Sequence, residues 1–596
     1  MDSLRKDSEG RFAAPIMGLL GCAILYLVCA VISFTVLAED AYISFRYAEN
    51  IAEGWGPVFN RGGPAVEGYS NPLWVWILAA VGGVGLTEVV SRCLGLAFGV
   101  LSLVELSLLT GFFERKRERV FHLPPAVLAC WPPFLFWSQS GLETGLYVYL
   151  LLLAWRLVIE EGMSAGRIPW SMIPVILLGF TRPEGVLFVV IFWALKVMII
   201  KPESGVRGGK MPLIWTFVVF MAIIIFFLWR YYTFGVWLPN TFYAKVNNGF
   251  IWKAREGSKY LGGFLYHSFG IPLVAPILAC LFGSGKEDVG KRKVAVSALL
   301  VACGQIIFVI YVGGDIHPND RFAIPLGLAS LVFTFALLEG NGESTKWLTR
   351  SIGVLFIFGN LAYWFPFWWD VTPPIRFSTN FLSVNTARLL TREIELSKIW
   401  GEFVKPRRDG LDLVGLSLQS EGNLGRLLAT DQCGKIPYRS GMETVDLFGL
   451  NDREIARIVH SNRKWEEYAG EVLSRSADVF LVFYRDGHLV SKYYLENTVL
   501  SSPFRRRYFM DRVYKINYSF VDFWGMKHTF THELLLFRKN PNWESTWELT
   551  REEETWLSSN QPIVDTPDAL RGMVEDFVAA NWMDPSKVVR FWVDLN

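Results

Sequence analysis

The sequence predicts an α-helical polytopic membrane domain, of about eleven spans, followed by a water-soluble α/β domain. Three observations carry that reading. Mean hydropathy over the 596 residues is +0.30, a sign that a soluble chain of this size rarely shows, because its surface must be polar. Only 19% of residues are charged, and up to residue 370 they sit in short loops between apolar runs. Residues 371–596 then have ordinary globular composition.

A hydrocarbon core of about 30 Å needs about 20 helical residues. Spans are expected near 14–37, 92–113, 121–138, 143–160, 212–231, 258–284, 294–313, 322–340 and 351–369. The first is too long for a signal segment and reads as a retained helix. Two further helices are expected between Trp170 and Ile200, meeting at Thr181-Arg182-Pro183-Glu184-Gly185. Pro72 to Leu86 reads as a helix lying in or dipping into the interface, not as a span.

Lys and Arg in short loops stay cytoplasmic. The basic loops are Arg5–Arg11, Arg115–Arg119, Lys201–Lys210, Lys286–Lys293 and Lys346 with Arg350. Placing them on one side puts the N-terminus inside, and segments 38–91, 138–143, 232–257, 314–321 and 370–596 outside. No basic stretch resembles a nucleic-acid-binding face. Of the seven cysteines, six lie in apolar runs and Cys433 stands apart, without metal or disulfide spacing.

Ionisable residues at a membrane edge are functional candidates by default. Glu39 and Asp40 end the first span and precede a helix from Tyr42 to Ile51 that is expected on the membrane surface. They read either as caps of that helix or as a general base for a hydroxyl that must lose its proton. Glu67, Tyr69 and Asn71 follow in the same loop. Arg230 to Lys245, with Asn240 between them, suits a lipid phosphate or an interfacial anchor belt. Asp315, His317 and Asp320 are residue types that ligate a divalent cation and equally residues of a turn; Arg321 beside them suits a phosphate, whose oxygens a guanidinium forks. Glu143 reads as a helix-start acid or a site residue, and Arg182 and Glu184 as supporting groups.

In the C-terminal part, strands are expected at Leu427–Asp431, Thr444–Leu450 and Ala477–Tyr484. Gly434 to Gly441 reads as a turn, and Asn451-Asp452 as the cap of a helix from Arg453. Asp431 and Asp446 at strand ends suit a carbohydrate or a structural role.

In order, the chain carries Ala-Tyr-Ile-Ser-Phe-Arg-Tyr after the acidic pair, Glu-Gly-Tyr-Ser-Asn-Pro-Leu-Trp, Gly-Leu-Glu-Thr-Gly-Leu-Tyr, Arg-Pro-Glu-Gly and Leu-Pro-Asn-Thr-Phe-Tyr-Ala-Lys. Gly-Gly-Asp before an Arg, Thr-Asp-Gln-Cys-Gly-Lys-Ile-Pro-Tyr and Asp-Leu-Phe-Gly-Leu-Asn-Asp follow. Over residues 20–455 this order resembles the GT-C superfamily of membrane glycosyltransferases, most of all the terminal arabinofuranosyltransferases of mycobacterial arabinan and their bacterial relatives. The resemblance implies a polyprenyl-phosphate sugar donor, a glycan acceptor and a site on the outer face of a bacterial plasma membrane. It maps an essential acid of the first external loop to Glu39 or Asp40, with Asp40 the expected actor. The arabinosyl relatives usually show two aspartates there, where this chain has Glu39.

The residues agree with that implication: a lipid donor keeps its tail in the bilayer and its phosphate at the surface, within reach of Arg230, Lys245 and Arg321. The competing classes are a lipid-linked-sugar transporter, which would show repeats and midplane charges, and a non-catalytic scaffold, in which Asp40 would be dispensable.

Overall fold

The computed structural model describes residues 17–31, 37–338, 347, 350–357 and 409–594. Breaks in these ranges fall at 84, 112–122, 164–168, 200–210, 246–248, 269, 283–288, 316–319, 461–464, 486–487, 490–492, 522–526, 542–565, 582–583 and 585. The expected span at 351–369 lies mostly outside the described residues.

The first part is a helical bundle. Its helices are α1 (Met17–Val31), α2 (Glu39–Ala52), α3 (Pro72–Val81), α4 (Thr87–Gly111), α5 (Leu123–Ala129), α6 (Pro132–Gln139), α7 (Thr144–Met163) and α8 (Met172–Thr181). There follow α9 (Pro183–Ile199), α10 (Met211–Phe234), α11 (Asn240–Lys245), α12 (Phe250–His267), α13 (Ile271–Phe282), α14 (Val289–Val312) and α15 (Ile324–Leu338). Among the described residues, four helices are long and apolar enough to cross a membrane, or six if each of two bent pairs counts as one span. The chain is thus a multi-span membrane protein, with fewer full-length spans among the described residues than the sequence suggests for the whole chain.

Proline explains much of the difference. The run 121–138 is not one helix but α5 and α6, parted where Pro132 and Pro133 supply no backbone N–H. The run 258–284 is likewise divided, into α12 and α13, where Gly270 takes a positive φ of 66°. The expected junction of two helices at Arg182 is present: the residue before Pro183 is extended, with φ −152° and ψ 154°. With only 10 residues, α3 is too short to span.

The C-terminal part holds a seven-stranded mixed sheet of order β2-β1-β3-β6-β5-β7, with β4 beside β3. The strands are β1 (Leu427–Thr430), β2 (Glu443–Asp446), β3 (Val479–Arg485), β4 (His488–Leu489), β5 (Tyr508–Val521), β6 (Lys527–Lys539) and β7 (Val588–Asp594). β1 pairs in parallel with β2 and β3, and β6 runs antiparallel to β3 and β5. Each face buries an apolar layer, one including Phe480, Val482 and Leu535, the other Leu428, Leu481 and Leu536, as the period of two requires.

Two local expectations change. Lys435–Ser440 is a short helix, not a turn. β2 stops at Asp446, because that carboxylate takes the amides of Phe448, Gly449 and Asn451 and folds the chain into a turn. Asp452 does cap the helix Arg453–His460, accepting from the Glu454 and Ile455 amides.

Loops at one end of the bundle meet each other. Ala38 N–H donates to Ser140 O at 2.8 Å, Trp74 Nε1 to Gly141 O at 2.9 Å, and Asn240 N–H to Glu67 O at 2.9 Å. The sheet domain docks on the same end. Its Cys433 and Leu450 belong to the apolar core of the bundle.

Candidate active site

The helix expected on the membrane surface is instead enclosed between bundle and sheet domain. Ala41 to Phe45, Tyr47, Ala48 and Asn50 of α2 are buried. A helix that is apolar on several sides needs partners on several sides, and α2 has two sets.

Along one stripe, at steps of three and four residues, α2 meets the sheet domain. Glu39 Oε1 accepts from Gly434 N–H at 2.5 Å. The Tyr42 ring packs edge-on to Tyr438 at 5.2 Å, with the guanidinium of Arg439 5.3 Å from its centre. Arg46 donates to Met442 O at 2.8 Å, and Tyr438 Oη to Glu49 at 2.6 Å. Arg439 also ties Glu88 of α4 to Asp412, each at 2.6 Å. Beside this stripe, the Asn60 carboxamide bonds both the N–H and the C=O of Thr444, which satisfies the edge strand β2 as a neighbouring strand would.

Asp40 stands about 100° round the helix from Glu39, four residues before Ser44 and therefore on Ser44's stripe. From Ser44 a buried chain of polar contacts runs into the bundle. Ser44 Oγ donates to Asn71 Oδ1 at 3.1 Å, and Asn71 Nδ2 to Glu143 Oε2 at 2.6 Å. Arg182 then bonds Glu143 Oε1 with one terminal nitrogen and Glu184 Oε1 with Nε. Four motifs separated by up to 140 positions in the chain (Ser44 to Glu184) therefore form one network. Extended backbone at Arg182, favoured by Pro183, parts α8 from α9, and the guanidinium meets Glu143, Glu184 and the Tyr147 ring.

Arg182 lies 5.3 Å from the centre of the Phe322 ring, and Arg321 lies 5.2 Å from the same centre. Arg321 also sits 4.8 Å from the Trp137 ring and donates through Nε to Asp315 at 2.8 Å. Asp320 pairs with His267 at 2.9 Å. Asp315 and Asp320 thus have cationic or imidazole partners instead of converging on one point. Among the described residues no group of three or more His, Cys, Asp or Glu could hold a metal. His317 lies outside the described residues, as does the side chain of Lys245 at the end of α11.

Arg230 does not present an open guanidinium. It is buried against Glu67, with Nε 2.7 Å and a terminal nitrogen 3.0 Å from the carboxylate. Burial pushes the Glu67 carboxyl up to about 7, against the pull of Arg230. Tyr69, whose ring packs on Tyr47 at 4.7 Å, keeps a buried hydroxyl without a hydrogen-bond partner among the described residues. Asn240 reaches the sheet domain: its Nδ2 donates to Gly449 O at 2.7 Å and Leu450 O at 3.0 Å. It clamps the turn after β2, a structural duty that its motif alone does not disclose. Burial, then the neighbouring Asp40 carboxylate, raises the proton affinity of Glu39.

Several contributors carry little signal in the sequence. Ser44 lies one turn beyond Asp40, and that spacing is all that marks it. Glu49, Asn60, Glu88 and Arg439 acquire their importance from partners hundreds of positions away.

Residues 408–554 match a family described as a domain of unknown function (DUF8728). The terminal beta-(1->2)-arabinofuranosyltransferase of Mycobacterium tuberculosis is 27% identical over 380 residues, 55% of this chain and 57% of that protein. The Corynebacterium glutamicum protein of the same name is 25% identical over 327 residues, 49% of this chain and 46% of that protein. A crystal structure of the Archaeoglobus fulgidus oligosaccharyltransferase, with Zn and sulfate, matches at a TM-score of 0.37 and 12% identity, covering 85% of this chain and 72% of that one. The chain spans about half the length of the curated relatives it matches. A membrane bundle capped by an α/β sheet domain, with an acidic pair at their junction, therefore belongs to a chain homologous over about half its length to terminal beta-(1->2)-arabinofuranosyltransferases.

Proposed function

We propose that this protein is a membrane glycosyltransferase that moves a sugar, a pentofuranose, from a polyprenyl-phosphate donor to a cell-envelope glycan on the outer face of a bacterial plasma membrane. The observation that carries the reading is the acidic pair Glu39-Asp40 at the start of α2, a helix enclosed where bundle and sheet domain meet, in a chain with arabinofuranosyltransferase relatives. Asp40 takes the proton of the acceptor hydroxyl as the new glycosidic bond forms and the bond to the lipid phosphate breaks. The leaving phosphate is held by Arg321, whose terminal NH groups are the fork once Nε is engaged with Asp315. Glu143, Arg182, Glu184 and Asn71 hold the wall opposite Asp40. Glu67, Tyr69 and Arg230 line the neighbouring loop, and Asn240 keeps the sheet domain over it. Lys245 follows on α11 as a second candidate for the phosphate.

The direct test is turnover of purified protein with a labelled polyprenyl-phosphate pentofuranose, beside mass spectrometry of the surface glycan from cells with and without the gene. An unchanged glycan together with no turnover would refute the reading. Within it, Arg321→Ala is expected to weaken donor binding, and Arg321→Lys to restore it only in part, because a point charge replaces a fork. Unchanged donor affinity in Arg321→Ala would remove this residue from the site.

The sidedness is tested separately. Alkaline phosphatase fused after Asp370 is expected to be active and after Arg117 inactive, with the N-terminus cytoplasmic and the sheet domain external. The reverse pattern would turn the whole topology over.

A further inference from the structure

The two carboxylates of the acidic pair are adjacent in sequence but belong to different faces of α2. Glu39 begins the stripe that continues through Tyr42, Arg46 and Glu49, each of which contacts the sheet domain. Asp40 begins the stripe of Ser44, which leads to Asn71, Glu143 and Arg182 in the bundle. The segment that receives Glu39 is Cys433-Gly434-Lys435, between β1 and helix Lys435–Ser440.

Gly434 has a negative φ of −93°, so its glycine does not serve a left-handed backbone. The reason for a glycine is close approach. A Cβ at this position would stand 2.0 Å from the backbone oxygen of Glu39 and 2.6 Å from its Oε1, where no carbon fits. The sheet domain can therefore bring an amide up to the start of α2 only with a bare backbone. Lys435, the next residue, is buried beneath the same helix. Its Nζ is 2.5 Å from Asp409 and 5.4 Å from the centre of the Tyr42 ring.

We propose that Gly434 is a positioning residue for the transfer reaction: by holding Glu39 it removes that acid from the chemistry and fixes the rotation of α2 that turns Asp40 towards the reacting sugar. This rests on the reading of Asp40 as the acting base. The sheet domain then has a definite part in the reaction. It sets the angular position of the catalytic helix from the side opposite the bundle.

Two readouts test the proposal, one independent of activity. In Glu39→Ala, amide hydrogen exchange at Gly434 is expected to quicken by about two- to tenfold, the usual strength of a hydrogen bond within a protein. Glu39→Gln keeps an acceptor oxygen and is expected to restore most of the protection, and Asp40→Asn to leave it alone. In turnover assays, Glu39→Ala and Gly434→Ala are expected to lower kcat with the donor KM unchanged, and Glu39→Gln to recover much of the loss that Glu39→Ala causes. Should Gly434→Ala fail to fold, Glu39→Ala, which adds no atoms, decides alone. Unaltered exchange at Gly434 in Glu39→Ala would overturn the proposal, and so would quickened exchange with kcat intact. If the parent protein turns over no lipid-linked pentose, it is the functional reading that falls, while the exchange measurement still shows whether Gly434 holds Glu39.

Discussion

Asp40→Asn is expected to yield a folded protein that still binds a polyprenyl-phosphate sugar and transfers it roughly 10²- to 10⁴-fold more slowly, the scale of losing a general base. Asparagine is nearly isosteric with aspartate, so the start of α2 and its junction with Ala38 and Ser140 persist. What disappears is the capacity to accept a proton. Glu39→Gln is expected to do less harm, because its oxygen can still accept from Gly434 N–H. The measurement is single-turnover transfer with a labelled lipid donor, each variant first shown to be folded and to bind donor. Near-normal turnover in Asp40→Asn with collapse in Glu39→Gln would exchange the two assignments. Near-normal turnover in both would end the catalytic reading of the pair and favour the scaffold.

The pieces of the fold that local chemistry dictates are legible in the sequence. Pro183 disfavours a helical Arg182, so the α8–α9 junction can be placed to the residue. The apolar run at 477–484 reads as a buried strand, and β3 is there. The long runs of α4, α10, α14 and α15 announce themselves by hydropathy. Where sequence and structure part, a distant partner or an averaged signal decides. Hydropathy averaged over 121–138 hides the Pro132-Pro133 break. Helix Lys435–Ser440 has only six residues, too few to be stable alone, and forms because it lies against α2. α2 in turn looks like a surface helix until that partner, 395 positions away (Glu39 to Gly434), covers it. The site residues follow the same rule. Glu143, Arg182, Glu184 and Asn71 are visible as polar groups in apolar surroundings, whereas their connection to one another is not. Arg230 shows the limit of reading a cation by its position. It is a candidate for phosphate because it leaves the membrane among aromatics, yet its charge is already matched by Glu67.

Arg182→Met is expected to be among the most damaging single substitutions in the bundle. Arg182 is buried, and its guanidinium is the shared partner of two buried carboxylates, Glu143 and Glu184. Removing one member of a buried ion pair costs about 3–5 kcal/mol, because the partner stays behind uncompensated in a medium of low polarity. Here two acids are left, inside a membrane domain where an unpaired charge costs more still. The expected result is a loss of monodisperse protein in detergent, or a thermal midpoint lowered by many degrees. Arg182→Lys should fall between, since one ammonium cannot reproduce the geometry by which Nε and a terminal nitrogen serve different carboxylates. The decisive variant is the triple change Arg182→Met, Glu143→Gln, Glu184→Gln. It removes both stranded charges, and the carboxamide that Glu143→Gln introduces still offers an oxygen to Asn71 Nδ2, so most of the lost stability should return. If the triple variant is as unstable as Arg182→Met, the damage comes from lost packing against Tyr147 and Phe322, 5.6 Å and 5.3 Å from the guanidinium, and not from the charges. If Arg182→Met is as stable as the parent, the network does not hold the wall opposite Asp40, and the contacts of α2 with the sheet domain must fix that helix without it.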